Sequence, residues 1–113
     1  MIARLGYFEG LTDEQKIAQE DNGKRRLKPF MITQPGFVAV FYLEQPNGDR
    51  VSLSVWESQQ LMEEAGARMN ASRLLPGQRG EDIPSPERVA IWQVLDHYLA
   101  SPVDAARSSS SSS

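Results

Sequence analysis

The chain has 113 residues, 40% of them hydrophobic and 24% charged, the composition of an ordinary single-domain globular protein. It has no cysteine and one histidine, His97, which excludes a disulfide framework, a thiol nucleophile, a thiolate zinc site and a multi-histidine metal centre. Its 12 basic and 15 acidic residues leave a net charge of −3, which offers no attraction to nucleic acid or an anionic membrane; no run approaches the ~20 apolar residues of a membrane span, Met1 to Gly10 lacks a signal-peptide pattern, and a cytoplasmic location is expected.

Ile2 to Phe8 reads as a first strand that stops at Gly10. Thr12 followed by Gln15 is a capping-box pattern, with Asp13 and Glu14 placing negative charge in the first turn of a helix predicted from Asp13 to about Thr33. Asn22-Gly23 weakens that helix and Pro29 removes a backbone donor, so two helical pieces or one bent helix are expected. Phe37 to Leu43 is a β-branched and aromatic strand, Asn47-Gly48 a hairpin signal, and Arg50 to Trp56 the return strand. Ser58 caps a second helix from Gln59 to about Leu74, with Leu61, Met62, Ala65 and Met69 on one stripe. Pro76 to Pro86 is a breaker-rich loop, and the last strand runs from Glu87 to about Leu95, with an extension through His97 and Leu99 left open. The domain is expected to span 1–99. The stretch 100–113, ending in Ser108 to Ser113, is expected to form a disordered tail.

This order is the ferredoxin-like βαββαβ arrangement, an α+β fold with two helices on one face of a four-stranded antiparallel sheet. The second strand offers Phe37, Ala39, Phe41 and Leu43 on one face and Val38, Val40 and Tyr42 on the other; the fourth offers Val89, Ile91 and Leu95 against Ala90, Trp92 and Val94. Two helices cover one apolar face only. A homodimer through the other sheet face is therefore expected, with Val40 or Trp92 as sites where Asp should disrupt assembly or folding, and His97 to Leu99 docking on the partner.

The Gln34-Pro35-Gly36-Phe37 opening of the second strand, the hairpin after it, and Trp56-Glu57-Ser58 at the start of the second helix resemble the antibiotic biosynthesis monooxygenase family of dimeric α/β barrels, over about residues 1 to 95. The resemblance implies a homodimer with a ligand cavity in each subunit between sheet and helices. Members of that family include cofactor-independent oxygenases of aromatic substrates and haem-degrading enzymes. The haem-degrading members pair this tryptophan with a histidine on the following helix and an asparagine on the first strand. This chain departs from them: Gly66 stands near the histidine position, and the first strand carries Arg4 and Gly6. No haem, flavin or metal cofactor is expected.

Trp56 shares a strand face with Ser52 and Ser54, an indole and two hydroxyls that either wall a pocket or close the end of the core. Arg4, on the face of Ile2, Gly6 and Phe8, either holds an anionic phenolate or carboxylate or extends to solvent. Asn70 and Arg73, at the Met69 edge of the second helix, are ligand candidates from above or ordinary surface residues. Lys24, Arg25, Arg26 and Lys28 follow Glu20 and Asp21 and read as a solvated face with i,i+4 pairs. His97 reads as a surface or arm histidine, and the adjacent acids Asp13-Glu14, Glu63-Glu64 and Glu81-Asp82 do not aim at one substrate atom. The expected function is binding of a small apolar or aromatic ligand, and the resemblance implies, for an enzyme, cofactor-independent monooxygenation of an aromatic or polyketide-like metabolite. The alternative is a non-catalytic metabolite-binding or stress-responsive dimeric barrel.

Overall fold

The computed structural model describes residues 1–100; the expected serine tail from 101 onward lies outside the described residues. Four strands, β1 (Ile2–Phe8), β2 (Phe37–Glu44), β3 (Arg50–Trp56) and β4 (Arg88–Gln93), form one antiparallel sheet in the order β2-β3-β1-β4. Helices α1 (Asp13–Asn22), α2 (Lys28–Met31) and α3 (Gln59–Ala71) complete the ferredoxin-like α+β arrangement.

Local chemistry sets the boundaries. Thr12 Oγ1 accepts from the Gln15 amide at 3.1 Å and Gln15 Oε1 accepts from the Thr12 amide at 2.9 Å, the reciprocal bonds of a capping box. Ser58 Oγ likewise accepts from the Leu61 amide at the start of α3. In the hairpin Gly48 takes φ +91°, a conformation that disfavours a side chain.

The first helical stretch neither breaks nor runs as a plain α-helix. Between α1 and α2 lies a π turn, Gly23–Leu27, where the Lys28 amide donates to the Gly23 carbonyl five residues back. Pro29 follows without an amide donor, so the chain relieves the clash by widening the turn and continues helical through it.

Strand β2 carries a register irregularity between Phe37 and Ala39. Val38 is the extra residue of this bulge, so Phe37 lies on the same face as Val40 and Tyr42, not with Ala39, Phe41 and Leu43. Phe37 meets Trp56 edge to face, ring centroids 5.5 Å apart. Val40 therefore belongs to the helix-covered core with Met31, Trp56, Met62 and Ala65, and a charge there would attack folding, not assembly. The opposite face carries Leu5, Leu53, Phe41 and Trp92, the last 61% exposed.

Strand β4 is shorter than expected. The Val94 amide donates to the Met1 carbonyl at 3.0 Å, and the stretch 94–100 lies outside the sheet. Leu95, 91% exposed, and Tyr98 and Leu99 stand in an arm away from the core.

Candidate functional site

A cavity of about 530 Å³ lies between the sheet and the helices, and small residues create it. Register pairs Arg4 with Ser54 and Gly6 with Ser52 across β1 and β3. A Cβ on Gly6 would stand 3.0 Å from Ser52 Oγ and 3.4 Å from Pro86 Cβ, so this glycine lets Pro86 pack closely onto the strand. Gly23 lines the roof and lies against the hydroxyl end of Tyr42. Phe8, Met31, Val40, Trp56 and Met62 supply apolar wall. A second chamber of about 490 Å³ shares Phe8, Gln19, Gly23, Val40, Tyr42 and Ser52 with the first and leads out past Lys24 and Lys28.

The helix that roofs the cavity turns polar groups inward. Ile17 is exposed, whereas Gln19 and Asn22 line the cavity and Asn22 is 5% exposed. Helices that seal a sheet do so with an apolar stripe. α1 lacks one, which leaves the space beneath it open.

Each residue singled out from the sequence has a definite place. Trp56 is 3% exposed, and its Nε1 donates to Ser54 Oγ at 3.0 Å, so the indole contributes its face to the wall while its one donor is occupied. Ser52, Ser54 and Asn70 line the cavity. Arg4 lines it as well, partly buried, and no described residue forms an ion pair with it; burial pulls its pKa below the usual arginine value. Arg73 is not among the lining residues. α3 ends at Ala71, two residues before it, because Ser72 is extended and its Oγ donates to the Met69 carbonyl at 2.6 Å.

The basic cluster divides. Arg25 pairs with Asp21 at 3.2 Å as the i,i+4 spacing predicts. Glu20 instead pairs with Arg50 at 2.9 Å, and Lys24 and Lys28 border the outer chamber, so half of the expected solvated face is a cavity rim. Arg26 turns inward: one Nη donates to the Met69 carbonyl at 3.0 Å, the Ser72 carbonyl at 3.3 Å and Ser72 Oγ at 2.8 Å, and the other donates to Asn22 Oδ1 at 3.4 Å.

Local reading missed Gln19, Asn22 and Tyr42. The available signal was the spacing of Gln15, Gln19, Asn22 and Arg26, a polar stripe on a helix that must cover an apolar strand. Tyr42, half exposed, borders both chambers with its hydroxyl near Gly23, and desolvation pushes its pKa up. The cavity thus combines an apolar wall with the side-chain donors of Arg4 and Asn70 and the carboxylate of Glu63.

The residues do not suit an axial haem ligand on α3. Gly66 borders the cavity with nothing within 4 Å of where its Cβ would stand, and His97 lies on the exposed arm.

Sheet order, helix placement and the cavity between them define the fold of the antibiotic biosynthesis monooxygenase type. Solved structures share it, among them these three. Rv0793 from Mycobacterium tuberculosis is 18% identical with a TM-score of 0.60, covering 85% of this chain and 96% of that one. The heme-degrader MhuD from the same organism, with two hemes bound in its active site, is 14% identical with a TM-score of 0.62, over 87% of this chain and 99% of that one. A monooxygenase of Streptomyces coelicolor in complex with the ligand nanaomycin D is 15% identical with a TM-score of 0.55, over 88% and 92%. No family model matches the sequence, and no curated protein matches it. At these identities the likeness is one of fold. Among the described residues, no helix is long and apolar enough to cross a membrane.

Proposed function

We propose that this chain binds a flat aromatic or polyketide-like metabolite in the cavity and acts on it as a cofactor-independent monooxygenase. The observation that carries this reading is Arg4, a partly buried guanidinium without an ionic partner among the described residues, which lines the cavity together with Trp56. An unpaired charge there is costly, and an anionic oxygen on the ligand offsets the cost. Ser52, Ser54 and Asn70 supply further polar contacts. Arg4 favours the ionised form of a phenol or enol, and an electron-rich carbanion of that kind reduces dioxygen itself: in an anthrone, one oxygen atom converts the CH2 carbon to a carbonyl and the other leaves as water. The solved monooxygenase with nanaomycin D bound supports the ligand class by analogy of fold.

The same proposal includes a homodimer through the open sheet face, supported by Leu5, Leu53, Phe41 and Trp92 on that face and by the exposed Leu95, Tyr98 and Leu99 of the arm. A cysteine-free chain fits a cytoplasmic setting.

One observation favours the non-catalytic alternative: Arg4 and Tyr42 stabilise an anion but take up no proton, and Glu63, the carboxylate among the lining residues, is exposed and accepts a hydrogen bond from Gln59 at 3.1 Å. Calorimetric titration with 2-hydroxy-1,4-naphthoquinone, an anion at neutral pH, together with oxygen uptake on 1,8-dihydroxyanthrone, tests both. Binding with uptake above the spontaneous rate supports the enzyme. Binding without it supports the alternative, and no binding to the cavity overturns both.

A further inference from the structure

Asn22 is an unusual residue for a helix roofing an apolar strand. It is 5% exposed, it lines the cavity, and it stands at the last position of α1, immediately before the π turn. Its amide has one acceptor and two donors, and the surroundings fix which faces where. Arg26 can only donate, so the Asn22 oxygen must be the atom that meets Arg26 Nη1 at 3.4 Å. The NH2 group then points away from Arg26. No described residue accepts from it, and it is not fully sealed from its surroundings; among the described residues Arg26 Nε is the one fully buried side-chain nitrogen or oxygen left without a partner. Arg26 is itself held by the final carbonyls of α3, which places it firmly.

We propose that Asn22 is a ligand-binding residue whose amide NH2 donates to a neutral carbonyl oxygen of the cavity's ligand, and that Arg26 is the positioning residue that turns this donor inward. This rests on the reading of the cavity as a ligand site. It specifies that site further: Arg4, on the sheet floor, takes an anionic oxygen, while Asn22, in the helix roof, takes a carbonyl. The preferred ligand therefore carries both, as hydroxyquinones and hydroxyaryl ketones do. The π turn presents the donor, because the widened segment holds Gly23 against Tyr42 and leaves Asn22 over the cavity.

The test is Asn22→Asp, titrated calorimetrically with 2-hydroxy-1,4-naphthoquinone and with 1-tetralone, a neutral aromatic ketone. Aspartate keeps the size and gains an ionic bond to Arg26, so the variant should melt no lower than the native protein, yet it has no donor to offer. Affinity for both probes should fall by about tenfold or more, the worth of one buried hydrogen bond. A loss confined to the anionic probe means charge repulsion and overturns the proposal, as do affinities within twofold of native or a native protein that binds the naphthoquinone but not 1-tetralone. A native protein that binds neither probe fails at the cavity reading instead. For Arg26, Arg26→Lys should weaken 1-tetralone binding in the native background and have no further effect in the Asn22→Asp background. Additive losses would remove its positioning role.

Discussion

Trp56 Nε1 donates to Ser54 Oγ at 3.0 Å, two residues back on the same strand, with both side chains buried. The hydroxyl thus satisfies an indole that would otherwise be orphaned in the core. Ser54→Ala should destabilise the protein by about 1–3 kcal/mol, the cost of a buried donor left without a partner. Urea unfolding followed by far-ultraviolet circular dichroism measures it, and an unchanged midpoint would show that water takes the place of the serine.

Arg4 pulls stability and binding in opposite directions. Burial lowers its pKa and no described residue pairs with it, so Arg4→Met should leave the melting temperature unchanged or higher. The same substitution should weaken 2-hydroxy-1,4-naphthoquinone binding by about tenfold or more. A melting temperature that falls together with affinity would mean that Arg4 is a structural residue.

Acid stability should depend on the cluster around Arg50. Hydrogen bonding from Arg50 holds the Glu44 carboxyl below its ordinary value, outweighing desolvation, and Lys16 adds to the effect; the bonds are 2.7 Å from Arg50 and 3.7 Å from Lys16. A carboxylate depressed in the folded state stabilises above its ordinary value of 4.5 and loses that contribution as pH falls through the folded value. Arg50→Met should therefore lower stability at pH 7 and flatten its decline below pH 4.5, read from melting temperatures across the acid range.

The sheet face away from the helices offers a test of assembly. Leu53, opposite Leu5 in the register, lies at its centre. Leu53→Asp should give a folded monomer by sedimentation equilibrium where the native chain sediments as a dimer. A native monomer at micromolar concentration would remove the case for the dimer.

Two glycines should respond to alanine with opposite sign. Gly66 sits inside α3 with open space around it, so Gly66→Ala should stabilise by about 1 kcal/mol through helix propensity. Gly36 has φ +82°, and a Cβ there would stand 2.6 Å from Leu61 Cδ1. Gly36→Ala should destabilise by about 1–3 kcal/mol or more, from backbone strain and overpacking together. Thermal denaturation of the two variants side by side decides it.

Where a residue's role is set by neighbours within four positions, the sequence was readable. Thr12 with Gln15 and Ser58 before α3 each announce a local hydrogen bond, Asn47-Gly48 announces a turn, and each forms, the turn closed by the Gly48 amide donating to the Gln45 carbonyl. The fold followed from these and from the alternation along the strands. The bulge at Val38 was hidden because the pairing that reveals it is with β3, across the hairpin. Asn22-Gly23 carried a helix-weakening signal whose explanation lies in Tyr42 and, through Arg26, in Ser72, 46 positions further along from that arginine. The end of β4 is set by its pairing with β1, and a ladder's length is a property of the pair, not of one strand's sequence. Trp56, Ser54 and Arg4 were visible as candidates because small and polar residues on a buried strand face violate packing expectations wherever they occur.

The π turn at Gly23–Leu27 makes this stretch unusually tolerant of losing one residue. Such a turn holds one residue more than a regular α-helical path between the same flanks. Deleting Lys24 would let the helix close into ordinary geometry while the turns on either side keep their positions, so Gln19 and Asn22 would stay in the ceiling. A second deletion has no such slack: each residue advances an α-helix by about 100°, so everything upstream would rotate by more than a quarter turn and other side chains would replace them. The bulge is thus a reserve of one residue, and a codon lost inside it spares a cavity lining that a codon lost elsewhere in the helix would change.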